Sequence, residues 1–250
     1  MTGAKAGAIL SLVILSSPLA AATADLTIMV EDAAPPFSQA DGTGFANDVI
    51  KAAFRASGVN VTLDVVPYAR CKKTVEDGKV AACASMSWYQ EVETKVMFSS
   101  APIFVVYADI FYRKSSPRIA RMTDIKPGSS VGIINEYEYP ESIYELGRRG
   151  VIFQTSPNDD ANLKMLARGR LDAVVVMTND LEPQAQKVIT AGVAPDVEYG
   201  FRGGSEDSYI GFSKKHPLGD AARQQFDAGY KKILADGTLD AIKKKWTKAR

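Results

Sequence analysis

Short runs of β-branched and aliphatic residues alternate with stretches of helical periodicity along almost the whole chain. Residues 26–30, 61–66, 80–86, 104–112, 131–134, 151–153 and 172–177 read as strands. Between them, Val49, Ile50, Ala53 and Phe54 share one helical face that Gly58 closes. Residues 70–77 form a second helix and residues 142–149 a third. Another starts at Asp159 and Asp160, carries Leu163 and Leu166 as its stripe, and stops at Gly169. This alternation predicts a mostly parallel sheet with helices on both faces. The run 172–177, apolar from Ala173 onward, has the composition of a strand buried on both sides. The chain closes on two helices. Phe226, Tyr230, Ile233 and Leu234 make the stripe of one. Thr238 is placed to cap the other, in which Leu239, Ile242 and Trp246 face one way. Lys243, Lys244, Lys245 and Lys248 crowd its last turn, where cations offset the helix dipole on a solvated face.

Composition removes several function classes. With 46% hydrophobic residues the chain is not disordered, and two cysteines cannot staple a mini-protein. Thirty basic against 29 acidic residues leave no footprint for nucleic acid. His216 stands alone, so a His/Cys metal site has almost no material, and neither metal nor cofactor is expected. Residues 1–24 read as a secretory signal: Lys5 supplies the positive start, residues 8–15 the apolar run, and Ala22-Thr23-Ala24 the small-x-small cleavage pattern. The run is too short to cross a bilayer of ~30 Å. No cysteine at the cleavage site suggests a lipid anchor. The expected destination is the periplasm, and without Lys5 the exported chain balances 29 basic against 29 acidic residues.

Export bears on the two cysteines. Cys71 lies about seven residues before the helix end at Gly78, roughly 10 Å up the axis, and Cys83 is about four residues into the returning strand, at a comparable height. A disulfide fits this geometry in an oxidising compartment and would add roughly 3 kcal/mol; two separate buried thiols are the alternative. No histidine lies nearby to activate a catalytic cysteine. No G-x-S-x-G elbow, phosphate loop or H-E-x-x-H helix is present, so the chain is not expected to be an enzyme.

Five segments carry a family resemblance. They are Pro35-Pro36-Phe37 followed by Gly44-Phe45-Ala46-Asn47-Asp48-Val49; residues 75–82 (VEDGKVAA); Phe98-Ser99-Ser100-Ala101-Pro102-Ile103; residues 166–173 (LARGRLDA); and Leu234-Ala235-Asp236-Gly237-Thr238-Leu239. In this order and spacing they resemble the periplasmic solute-binding proteins of family 3, the receptors of amino-acid ABC transporters. The resemblance implies a two-lobed α/β fold of the type II periplasmic-binding class. Lobe 1 would comprise residues 25–110 and 207–250, and lobe 2 residues 111–206, with hinges near 111–114 and 203–206. It further implies a monomer that closes on a small polar, amino-acid-like ligand and hands it to a transporter permease. Two alternatives share the scaffold: an enzyme resembling cyclohexadienyl dehydratase, with Glu136 or Glu138 as general acid, and a sensory ligand-binding protein.

Departures from the family pattern bear on the ligand. Val92 stands where the family places its carboxylate-clamping arginine, and Met177 where it places the aspartate that receives the ammonium. Without those anchors a standard amino acid held in the standard way is not expected. Ser85 and Ser87 match strand-end positions that meet the ligand. The loop Asn135-Glu136-Tyr137-Glu138-Tyr139 brings carboxylates where hydroxyl groups would greet an anion, which points to a cationic or polyhydroxylated ligand. Tyr68-Ala69-Arg70-Cys71 resembles a Y-x-R variant of the family, with Tyr68 and Arg70 aimed at the cleft and Arg70 replacing the missing clamp. Trp88, with Tyr89, and Phe37 are the candidate aromatic walls.

Overall fold

In the computed structural model, which describes residues 26–247, the first lobe starts from β1 (Leu26–Glu31), whose Ile28 and Val30 are fully buried. The predicted secretory segment lies outside the described residues. A small hairpin follows, β2 (Ala33–Ala34) with β3 (Ser38–Gln39). Helix α1 (Phe45–Ala56) buries Val49, Ile50, Ala53 and Phe54, the face its periodicity predicts. Strand β4 (Val61–Val66), helix α2 (Tyr68–Glu76) and strand β5 (Ala82–Ser87) complete a βαβ unit, followed by the short helix α3 (Gln90–Glu93) and strand β6 (Val96–Phe98).

Strand β7 (Phe104–Arg113) leads into the second lobe. There β8 (Ser130–Ile134), α4 (Glu141–Arg148), β9 (Ile152–Ser156), α5 (Asp159–Ala167) and β10 (Ala173–Thr178) repeat the alternation, and α6 (Gln186–Thr190) packs beside α5. Strand β11 (Val197–Ser213) returns to the first lobe, which α7 (Gly219–Ala235) and α8 (Thr238–Trp246) finish. Helix α7 lies so close to α1 that a Cβ on Gly229 would fall 1.7 Å from the Ala53 carbonyl oxygen, an approach only glycine permits.

Among the described residues nine strands share one sheet, in the order β4-β1-β5-β11-β7-β10-β8-β9, with β6 added to β11. The outer strands are parallel, but β5, β11, β7 and β10 pair antiparallel. The sheet is therefore mixed, not mostly parallel as the alternation predicts. The cause is the two crossing strands: β11 runs antiparallel to β5, β6 and β7, and β7 runs antiparallel to β10. Gly200, Gly203, Gly204 and four charged residues deny β11 any periodic pattern, so it reads as loop. Two smaller expectations also change. Gly237, in left-handed conformation, precedes α8; Thr238 is its first residue, held by Asp236 Oδ1 at 2.9 Å from its backbone N–H. Leu234 is exposed rather than part of the α7 stripe.

Packing divides the chain near the middle of the long strands. Phe104 packs on the first-lobe core, Val106 touches the cores of both lobes, and Ala108, Ile110 and Tyr112 belong to the second. Side chains on β7 thus pass from the first-lobe core to the second-lobe core at Val106. On β11 they do so between Phe201 and Ile210. There Gly203 and Gly204 together face one residue of β7, because the register shifts between the pairs Arg202–Asp109 and Ser205–Tyr107. Just on the second-lobe side, fully buried Asp109 accepts from the Thr178 hydroxyl, Gln184 Nε2 (2.7 Å) and Arg202 Nε (3.1 Å). This network ties β7, β10 and β11 together beside the crossing.

Candidate functional site

A cleft lies between the lobes, walled by residues of both. The C-terminal ends of β1, β5 and β10 point into it, as expected for an open α/β sheet. Asn47 builds one wall: its buried Nδ2 donates to Ser38 Oγ (3.0 Å) and the Gly42 carbonyl (3.2 Å), while the Ser38 hydroxyl donates to the Glu31 carbonyl. That network fixes the loop carrying Ala33, Ala34, Pro35 and Phe37, and Phe37 stacks on Phe104 with ring centroids 3.7 Å apart.

Two hydroxyl groups enter from the first lobe. On β5, Ala84 and Ser85 oppose the single residue Ile210 of β11, and Ser85 takes the left-handed φ of 64°. Such a conformation costs a non-glycine residue about 1–2 kcal/mol, and bulges of this kind re-aim side chains beside binding sites. The Ser85 and Ser208 hydroxyls both line the cleft, and both are buried without a hydrogen-bond partner.

Helix α2 explains which part of the Tyr68–Cys71 motif reaches the cleft. At about 100° per residue, positions four apart share a face while positions two apart point away from each other. Tyr68 and Lys72 therefore project together: Tyr68 OH donates to Glu138 Oε2 at 2.6 Å, and Lys72 Nζ contacts Glu138 Oε1. Arg70 is exposed and does not line the cleft. Cys71 points inward, where it forms a disulfide with Cys83 of β5, Cα atoms 5.6 Å apart. The disulfide, not the pair of separate thiols, fastens α2 to the sheet beneath the cleft.

From the second lobe, the loop after β8 turns at Glu136, which has a φ of 61° and is exposed. The turn sends Tyr137 and Glu138 into the cleft, and Tyr139 OH accepts from the Ile134 N–H at 2.8 Å to hold the loop. Tyr137 OH donates to the Glu31 carboxylate and its ring meets Tyr68 edge-on at 5.5 Å. Asp159 sits at the start of α5, whose N-cap is Asn158, and Lys187 of α6 lies 3.4 Å from Asp159 Oδ2 and donates to the Pro35 carbonyl at 3.2 Å. Tyr89 OH reaches across to the Tyr139 carbonyl at 2.7 Å. The lobes are thus in direct contact around the cleft.

Of the expected site residues, Phe37, Tyr68, Ser85, Ser87, Tyr137 and Glu138 line the cleft. Arg70, Trp88 and Glu136 do not. Trp88 is 52% exposed beyond the end of β5, beside residues 205–209. Val92 is buried in the first-lobe core behind the cleft, and Met177 lines it, so both usual anchor positions are apolar. Sequence reasoning missed Glu31, Phe104, Val106, Asp159, Lys187 and Ser208. Glu31 was detectable as the last residue of β1, at the strand end where ligands sit. Lys187 carries no local signal.

The cleft holds carboxylates in an environment that disfavours their charge. Burial pushes Glu31 up to about 7, with Asp32 and Glu138 adding repulsion and the Tyr137 hydroxyl opposing. Burial also raises Glu138, against the pull of Lys72, and raises Asp159, against that of Lys187. Tyr68 and Tyr137 are held neutral by burial and by the carboxylates they donate to.

Comparison with known proteins places this geometry. An ancestral arginine-binding protein solved with arginine matches at 24% identity and a TM-score of 0.74, over 90% of this chain and 98% of that one. A histidine kinase sensor domain with similarity to periplasmic binding proteins matches at 20% identity and a TM-score of 0.75, over 89% and 95% of the respective chains. An ancestral amino-acid-binding protein that is a precursor of cyclohexadienyl dehydratase matches at 22% identity and a TM-score of 0.70, over 90% and 95%. At these identities the likeness is one of fold. No curated protein sequence gives a match. Residues 26–249 match the family profile of a group whose fold and interlobe cleft this structure shares, and the chain belongs to the bacterial extracellular solute-binding proteins, family 3.

Proposed function

We propose that this protein is a non-enzymatic periplasmic receptor. It captures a small polar ligand between its lobes, bends where β7 and β11 cross near residues 106–107 and 203–206, and delivers the ligand as a monomer to the permease of an ABC importer. One observation carries the reading: Ser85, Ser208 and Asp159 line a cleft walled by both lobes, and Ser85 Oγ, Ser208 Oγ and Asp159 Oδ1 are buried with no hydrogen-bond partner. A buried polar group left unpaired costs about 1–3 kcal/mol, which a ligand's polar atoms would recover. Membership of the family and the fold shared with amino-acid-binding proteins support the same reading.

A thermal-shift screen of the exported chain against amines, amino acids and organic acids tests it, since a ligand that binds only the folded state raises the melting temperature by mass action. A hit should bind at a one-to-one ratio and lose affinity about fivefold or more in Ser208→Ala. A binder indifferent to Ser208→Ala, or turnover of prephenate or arogenate, would overturn the receptor reading.

A further inference from the structure

The charged groups of the cleft do not balance. Glu31, Glu138 and Asp159 all face it. Two lysines answer them, and both are committed: Lys72 to Glu138, and Lys187 to Asp159 and the Pro35 carbonyl. Glu31 is 4% exposed and forms no ion pair of its own among the described residues. Its one side-chain partner is the Tyr137 hydroxyl. Asp159 has the complementary deficit, because Oδ2 faces Lys187 while Oδ1 is buried and unpartnered. Around these carboxylates the walls are aromatic or aliphatic: Phe37, Phe104, Val106 and Met177. Among the described residues no uncommitted arginine or lysine lines the cleft to meet a ligand carboxylate.

We infer that the cleft selects a small ligand that presents a protonated amine to Glu31 and Asp159, lays an apolar body against Phe37 and Met177, and carries no carboxylate. The inference rests on the receptor reading and names the ligand class for that same site. A buried carboxylate without a counter-ion is costly, and an ammonium group supplies both the charge and the donors that Glu31 and Asp159 Oδ1 lack. A carboxylate on the ligand would enter a site that is already net negative, where like-charge contact opposes binding. The raised titration of Glu31 agrees, since an arriving cation favours its ionised form and displaces its proton.

The test uses matched pairs that differ only by the carboxylate: phenethylamine against phenylalanine, isoamylamine against leucine, and agmatine against arginine, by calorimetry at pH 7. In at least one pair the amine should bind tenfold or more tighter than its amino acid, with proton release that grows below pH 7. Glu31→Gln should weaken that amine at least tenfold while leaving the fold intact by circular dichroism. An amino acid that binds as tightly as its amine would overturn the assignment and leave the receptor reading standing. Failure of every amine to bind would overturn the assignment, and the receptor reading falls with it only when the amino acids and the organic acids fail to bind as well.

Discussion

Glu31 closes β1 at the point where backbone pairing ends and the cleft begins, and its burial links stability to pH. Its folded pKa lies above the ordinary value of 4.5, at about 7. The native state therefore keeps a proton that the unfolded chain releases between those values, so this contribution is fully present below pH 4.5 and is lost as pH rises through 7. The size is about 3 kcal/mol at 1.36 kcal/mol per unit. The facing groups are the Tyr137 hydroxyl, which stabilises the anion, Asp32 and Glu138, which oppose it, and Lys187, which favours it. Denaturant unfolding of the ligand-free protein between pH 4.5 and 8 should show the wild type losing stability relative to Glu31→Gln as pH rises. Parallel profiles would mean that Glu31 titrates normally. The same scale shows where reading the sequence succeeds. Tyr68 was legible from its motif, whereas Arg70 was expected at the cleft and Lys72 was not, because the motif was read without the helix phase that puts Tyr68 and Lys72 on one face.

Among the elements, α2 positions Tyr68 and Lys72 with little intrinsic support. Pro67 precedes it, no side chain caps it, and its buried residues are Tyr68, Cys71 and Val75. The disulfide between Cys71 and Cys83, 12 residues apart, supplies the missing constraint. A loop of that length is worth about 3 kcal/mol in the chain-entropy account. The double variant Cys71→Ala/Cys83→Ala should lower stability by about that amount and weaken ligand binding, because Tyr68 and Lys72 are then aimed by a looser helix. Unaltered binding in the reduced protein would show that α2 holds its place without the staple. The βαβ geometry made this pairing legible, since it brings helix and strand to the same height. Strand β11 was not legible: its pairing is decided by partners on β5, β6 and β7, far away in sequence, and its own glycines and charges point to a loop. For the same reason the sheet came out mixed.

At the scale of the molecule the two lobes touch around the cleft, through Lys187 on the Pro35 carbonyl and through the second-lobe loop 135–139. Glu138 accepts from Tyr68 and contacts Lys72, Tyr137 donates to Glu31, and the Tyr139 carbonyl accepts from Tyr89. Leu181, from the second half of the chain, packs into the first-lobe core. Under the proposed hinge, opening along β7 and β11 would break these contacts together and expose each partner to water. Glu138 is the pivotal one, as both of its oxygens are engaged by α2. Its charge-assisted bonds are worth about 2 kcal/mol to closure after the desolvation of the carboxylate is offset. Losing that shifts the open–closed equilibrium roughly 30-fold. Glu138→Ala should therefore raise the radius of gyration of the ligand-free protein in solution scattering, and ligand should restore the wild-type value only at higher concentration. Glu138→Gln, which still accepts from Tyr68, should fall between the two. If both variants scatter like the wild type with and without ligand, closure is governed at the crossing strands, and the bulge at Gly203 and Gly204 becomes the place to alter it.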